Sequence, residues 1–126
     1  MTGKMAGFKF DFENLKVYQK SLDFIDAVFK IYKNLSHEYK YSIGSNLIRA
    51  ALSVSNNIAE GNDKGSNRER NRYLSISSGS TRECVSVLNI LKRQNMIDTN
   101  VYLKLRNDAR EITNMLQGLI KNNLKR

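Results

Sequence analysis

Between Leu15 and Tyr32 the apolar residues Leu15, Tyr18, Leu22, Ile25, Phe29 and Tyr32 are spaced 3, 4, 3, 4 and 3 apart, which places all six on one stripe of a helix. A second stripe on the same segment, Val17, Phe24, Val28, Ile31 and Leu35, widens the apolar arc beyond what one neighbouring helix covers. The first helix is therefore expected to bury two faces. One serves its own core, and the other, carried by Val17, Phe24, Val28 and Ile31, is expected to meet a second copy of the chain.

A second helix is predicted over roughly residues 39 to 60, with Ser36 placed to cap it and Ile43, Leu47, Ala51, Val54 and Ile58 facing inward beside Ala50 and Ala59. Gly61 reads as its stop, because glycine reaches the left-handed conformation cheaply, and Asn62-Asp63-Lys64-Gly65 as the loop that follows. Ser66 with Glu69 fits a capping box, opening a third helix that runs to about Asn95 on Tyr73, Ser77, Ser80, Cys84, Val87 and Leu91. Its middle, from Ser75 to Thr81, is poor in helix propensity, so tight packing must hold it. Asp98 or Thr99 caps a fourth helix with the stripe Val101, Leu105, Asp108, Ile112, Met115 and Leu119, supplemented by Tyr102, Leu116 and Ile120, in which Asp108 is the one polar member.

Helices of this size span roughly 30 to 45 Å, and short connectors make consecutive ones antiparallel neighbours. The predicted fold is all-α, an up-down-up-down four-helix bundle over residues 14–126 preceded by an N-terminal arm, residues 1–13. In the arm, Phe8-Lys9-Phe10-Asp11-Phe12 alternates with period two, which suits an extended segment whose rings dock on its own bundle or on a neighbour's.

Composition agrees with this reading. A chain of 126 residues holds one domain, and 40% hydrophobic with 26% charged residues is ordinary for a folded protein. Proline is absent and glycines number 7, which removes most of the turn chemistry that a β fold uses. One Cys forms no intrachain disulfide, and with one His it cannot build a zinc site of nitrogen and sulfur ligands. Cys84 falls in a core stripe and His37 in a connector, so they are expected to be a small buried side chain and a solvent-facing ring rather than a nucleophile pair. No Glu-x-x-His motif and no phosphate-binding loop occurs. A non-enzymatic protein without metal or cofactor is expected. Neither a signal-peptide core within Met1–Phe8 nor a run of 18 apolar residues is present, so a cytoplasmic protein with no membrane partner is expected.

Charge changes the picture most. Lys and Arg number 21 against 12 Asp and Glu, a net +9 spread along the chain rather than held in one block. The densest patch is Lys64, Arg68, Arg70 and Arg72 at the start of the third helix, and a second set comprises Lys92, Arg93, Lys104, Arg106 and Arg110. Helix N-terminal amides beside arginines suit phosphate, so the first patch is the stronger candidate for binding RNA or DNA. No helix combines basic with base-reading residues, so binding is expected to tolerate sequence and to weaken with salt, and assembly of several copies would add their fields. The alternative is a structural or protein-interaction module whose charge serves solubility. Arg49 and Glu83, charged residues beside the apolar stripes, are expected to form a structural salt bridge.

Three segments carry a resemblance: Phe12-Glu13-Asn14-Leu15-Lys16-Val17-Tyr18, then Leu47-Ile48-Arg49-Ala50-Ala51-Leu52-Ser53-Val54-Ser55-Asn56-Asn57-Ile58-Ala59-Glu60-Gly61, then Tyr73-Leu74-Ser75-Ile76-Ser77-Ser78-Gly79-Ser80-Thr81-Arg82-Glu83. Together they resemble the bacterial four-helix-bundle proteins encoded in intervening sequences of large-subunit ribosomal RNA genes. That family is similar in turn to the accessory variability protein of diversity-generating retroelements, a basic homopentamer that binds nucleic acid and a partner reverse transcriptase. The resemblance implies an up-down bundle, a pentamer, nucleic acid or a nucleic-acid enzyme such as a reverse transcriptase as partner, and no catalytic residues. Leu35-Ser36 stands where the family usually has Leu-Pro, and Ser77 near a usual Ala.

Overall fold

The computed structural model describes residues 7–125, and all their regular structure is helical. Residues 1–6 of the expected arm, most of the Met1–Phe8 segment and Arg126 lie outside the described residues. Four long helices, α1 (Lys16–Asn34), α2 (Ser45–Asn62), α3 (Asn67–Arg93) and α4 (Thr99–Leu124), each pack on their chain neighbours, and α1 packs on α4 to close the bundle. This is the antiparallel arrangement that the short connectors dictate. Val28, Leu47, Val54, Ile58, Ile112 and Leu116 are fully buried between the helices. Each such side chain contributes about 1.5–3 kcal/mol through loss of water contact.

The face of α1 expected to meet a second copy enters the core instead. Val17, Phe24, Val28 and Ile31, read as a contact with a second copy, sit in the intramolecular core, with Phe24 only 1% exposed. Of the other stripe Ile25 is buried as well, and Leu22 and Phe29 are exposed, at 41% and 38%. Periodicity cannot rank two apolar stripes; the neighbouring helices do. Lys20, on the flank of α1 away from Leu22 and Phe29, bridges to Asp108 and Glu111 of α4, and Leu52 of α2 is also exposed.

A single α turn, His37–Tyr39, leads through a π turn, Lys40–Gly44, directly into α2. A Cβ on Gly44 would stand 3.0 Å from the Leu35 side chain and 3.1 Å from Tyr32, so the wide turn rides against the end of α1. Gly61 does not stop α2, which continues to Asn62. Its role is proximity: an added Cβ would lie 2.7 Å from Tyr73 Cβ, so only glycine lets α2 and α3 approach this closely. The left-handed residue is instead Asn95, with φ 58°, just past α3. Asn95 and Met96 donate their amides to the carbonyls of Lys92 and Leu91, a Schellman closure of the helix.

Packing holds the propensity-poor middle of α3, as expected. Ser77 donates to the Val54 carbonyl at 2.8 Å, and the Ser53 and Ser80 hydroxyls meet at 2.7 Å, so small polar side chains are satisfied inside the α2–α3 seam. Ser66 accepts the Glu69 amide at 3.2 Å, while the Glu69 carboxylate turns to Arg72 rather than back to the cap, leaving half a capping box. In α4, Val101 is exposed and Ala109 joins Leu105, Ile112 and Leu116 in the core. Asp108 is tied to Lys104 at 2.7 Å and lies 3.7 Å from Lys20, which accounts for a carboxylate on that stripe.

The described part of the arm is free of helix through Phe10, whose backbone is extended as expected, and departs from that reading only at its end. Asp11–Asn14 form a 3-10 turn, stabilised by the Glu13 carboxylate accepting the Phe10 amide at 2.8 Å and by Asn62 donating to Asp11 at 2.9 Å. The rings of Phe8, Phe10, Phe12 and Tyr18 follow one another with centroids 5.1, 5.8 and 4.9 Å apart. Phe12 alone of the three phenylalanines is half-buried; Phe8 and Phe10 stand exposed. Among the described residues no helix is long and apolar enough to cross a membrane.

Candidate nucleic-acid interface

The patch at the start of α3 supplies counter-charges for two of its four cations. Lys64 Nζ meets Glu60 at 2.8 Å and lies over the Tyr73 ring, and Arg72 Nε meets Glu69 at 3.4 Å with its guanidinium 4.5 Å from the centre of the same ring. The hydrogen bonds to Glu60 and Glu69 raise the pKa of Lys64 and Arg72 above their usual values. Arg70 donates to the Asn67 side chain at 2.6 Å, and Arg68 is exposed, with no carboxylate partner among the described residues. Two of the four cations expected to hold phosphate are thus occupied.

The second set is divided by the helix on which it sits. Lys104 faces α1, where it pairs with Asp108. Arg106 and Arg110 face α3 and line a groove of about 630 Å³ between α3 and α4, joined there by Arg82. Among the described residues none of these three arginines forms an ion pair. Arg106 is nonetheless held in place: it donates to Asn89 Oδ1 at 2.9 Å, lies 3.3 Å from the Tyr102 hydroxyl, and stacks near that ring, while Tyr102 donates to the same Asn89 oxygen at 2.7 Å. Asn107 reaches Glu111 at 3.3 Å, but Lys20 holds the other oxygen of that carboxylate at 2.6 Å. Lys92 and Arg93 lie at the far end of α3, about three turns beyond Arg82 and outside the groove lining.

Arg82 is the residue that sequence reasoning missed. A signal was present: Arg82, Val85 and Asn89 recur at helical spacing on the flank of α3 that carries no acid, opposite a flank of α4 bearing Arg106 and Arg110.

Arg49 and Glu83 are both exposed and form no ion pair among the described residues, because each sits on the outer side of its helix, beyond the small residues that line the α2–α3 seam. Their closeness to the apolar stripes in sequence is one position along the helix, which is a rotation of about 100° away from the core. Cys84 is fully buried, and burial pushes its thiol up to about 12, so it is a protonated core side chain at neutral pH. His37 is exposed, its ring edge-on to Tyr41.

The architecture that presents this groove is shared. The chain matches, with TM-score 0.78 and 27% sequence identity, the crystal structure of a protein of unknown function from the S23 ribosomal protein family of Bacteroides thetaiotaomicron, covering 83% of this chain and 98% of that one. Comparison with curated proteins gives no match. A family model described as 23S rRNA-intervening sequence protein matches residues 13–118, a span that takes in all of α1, α2 and α3 and most of α4. The chain belongs to the family of 23S rRNA-intervening sequence proteins.

Proposed function

We propose that this protein is a non-enzymatic, homo-oligomeric bundle that acts in the cytoplasm and holds RNA or DNA by the phosphate backbone, with little regard for sequence. The observation that carries the reading is the α3–α4 groove: Arg82, Arg106 and Arg110 converge on it without a carboxylate partner among the described residues. Three guanidiniums left unneutralised along one groove are kept for an anion supplied from outside. Assembly is supported by Leu22, Phe29 and Leu52, exposed apolar side chains on the α1 and α2 edge. The resemblance to the retroelement accessory protein favours five subunits and a role as adaptor for a nucleic-acid enzyme such as a reverse transcriptase.

The test is a titration of labelled single- and double-stranded oligonucleotides at about 50 and 200 mM salt. Retention at the lower concentration that weakens steeply at the higher supports the reading. Absence of retention at both leaves the alternative, a structural or protein-interaction module, for which the exposed Phe8 and Phe10 speak. Light scattering checks assembly separately: a particle of 14.5 kDa would refute it.

A further inference from the structure

The α3–α4 groove contains more than a phosphate site needs. Leu103, 55% exposed, lies within it beside Val85 and Ala109, among the three arginines. A surface that only neutralises a backbone requires cations and donors; Leu103 with Val85 adds an apolar floor between the guanidiniums. The groove's volume, about 630 Å³, is that of a pocket for one small molecule. Asn89 adds a directed polar group. Its side-chain oxygen is taken by Tyr102 and Arg106, which fixes the amide and leaves the Nδ2 donors unengaged among the described residues.

These features discriminate between nucleic-acid forms. In a duplex the bases are stacked and paired, so a groove of this size meets phosphates alone. A single strand can turn one base out onto an apolar or aromatic surface while its flanking phosphates remain in reach of cations. Resting on the nucleic-acid reading above, we infer that the groove seats one unpaired nucleotide of a single strand. The base lies on Leu103 and Val85, its edge accepts from Asn89 Nδ2, and the neighbouring phosphates meet Arg82, Arg106 and Arg110.

The experiment compares three labelled probes by fluorescence anisotropy on the full chain at about 50 mM salt: a short oligouridylate, the same strand paired with its complement, and an abasic single strand of equal charge. The single strand is expected to bind about tenfold more tightly than the abasic strand, with the duplex no tighter than the abasic one. Leu103→Ser, at an exposed position and with helicity checked by circular dichroism, is expected to bring the oligouridylate down to the abasic level and leave the abasic affinity unchanged. Equal affinity for all three probes, or a uniform loss in the variant, overturns the nucleotide seat while leaving backbone binding intact. Absence of binding to every probe overturns both.

Discussion

The start of α3 and the groove between α3 and α4 are both cationic, and they differ in what their own helices place beside the charge. Around Lys64 and Arg72 the neighbours one helical turn away are Glu60 and Glu69, at 2.8 and 3.4 Å. Around Arg82, Arg106 and Arg110 the neighbours are amides, hydroxyls and apolar side chains. The carboxylates of α4, Asp108 and Glu111, are drawn to the opposite flank by Lys20. Density of positive charge in a sequence therefore locates solvated helix ends as readily as it locates a binding surface. What marks the surface is uncompensated charge that two helices gather along one groove.

The comparison can be broken most decisively by charge reversal. Arg82→Glu, Arg106→Glu and Arg110→Glu together should lower nucleic-acid affinity by about 100-fold at low salt and reduce the slope of log affinity against log salt by about 3. Reversal of Lys64, Arg70 and Arg72, which Glu60, Asn67 and Glu69 already engage, should cost less than about threefold. Equal losses in the two triple variants, measured by anisotropy, would erase the distinction. A smaller effect sharpens it from the other side: if Glu60 and Glu69 are what silence the start of α3, then Glu60→Gln with Glu69→Gln should raise affinity about three- to fivefold by releasing Lys64 and Arg72. Below that comes orientation. Tyr102→Phe removes the hydroxyl that holds Asn89 and Arg106, and should weaken binding about two- to threefold, the low end of what one hydrogen bond contributes.

The smallest expected change in affinity is none, and it comes from the core. Cys84→Ala should leave binding by both regions unaltered, yet alter the pH dependence of stability. The folded thiol is raised from 9.0 to about 12, so the unfolded chain loses its proton first. Stability is complete below the unfolded value and falls as pH rises through that window, by on the order of 1 kcal/mol at pH 10. Urea midpoints at pH 7 and 10 should therefore fall further apart in the parent than in the variant.

Four helices are legible in the sequence because each carries a period of 3.6 and short polar connectors separate them. The satisfied α2–α3 seam is legible for a related reason: Ser75 to Thr81 could not be helical without neighbours. Other features were settled by information that a single helix does not contain. Which stripe of α1 faces inward depends on the apolar side chains that α2 and α4 bring to it from far along the chain. Gly61 reads as a terminator from its own chemistry, and only the approach of Tyr73 shows that it is a spacer. The candidate site was half visible, since Arg106 and Arg110 stand out by charge, whereas Arg82 gains meaning only when α3 and α4 are set side by side.

The π turn at Lys40–Gly44 makes the passage into α2 a helix with one residue in excess of its winding. Length changes in this protein are accordingly unequal. Excising a single residue there restores ordinary winding and keeps the segments on either side in their places, so the bundle should tolerate a shortened chain at that point. The same excision within Leu88–Leu91 of α3 would swing everything beyond it by about 100° and carry buried leucine outward.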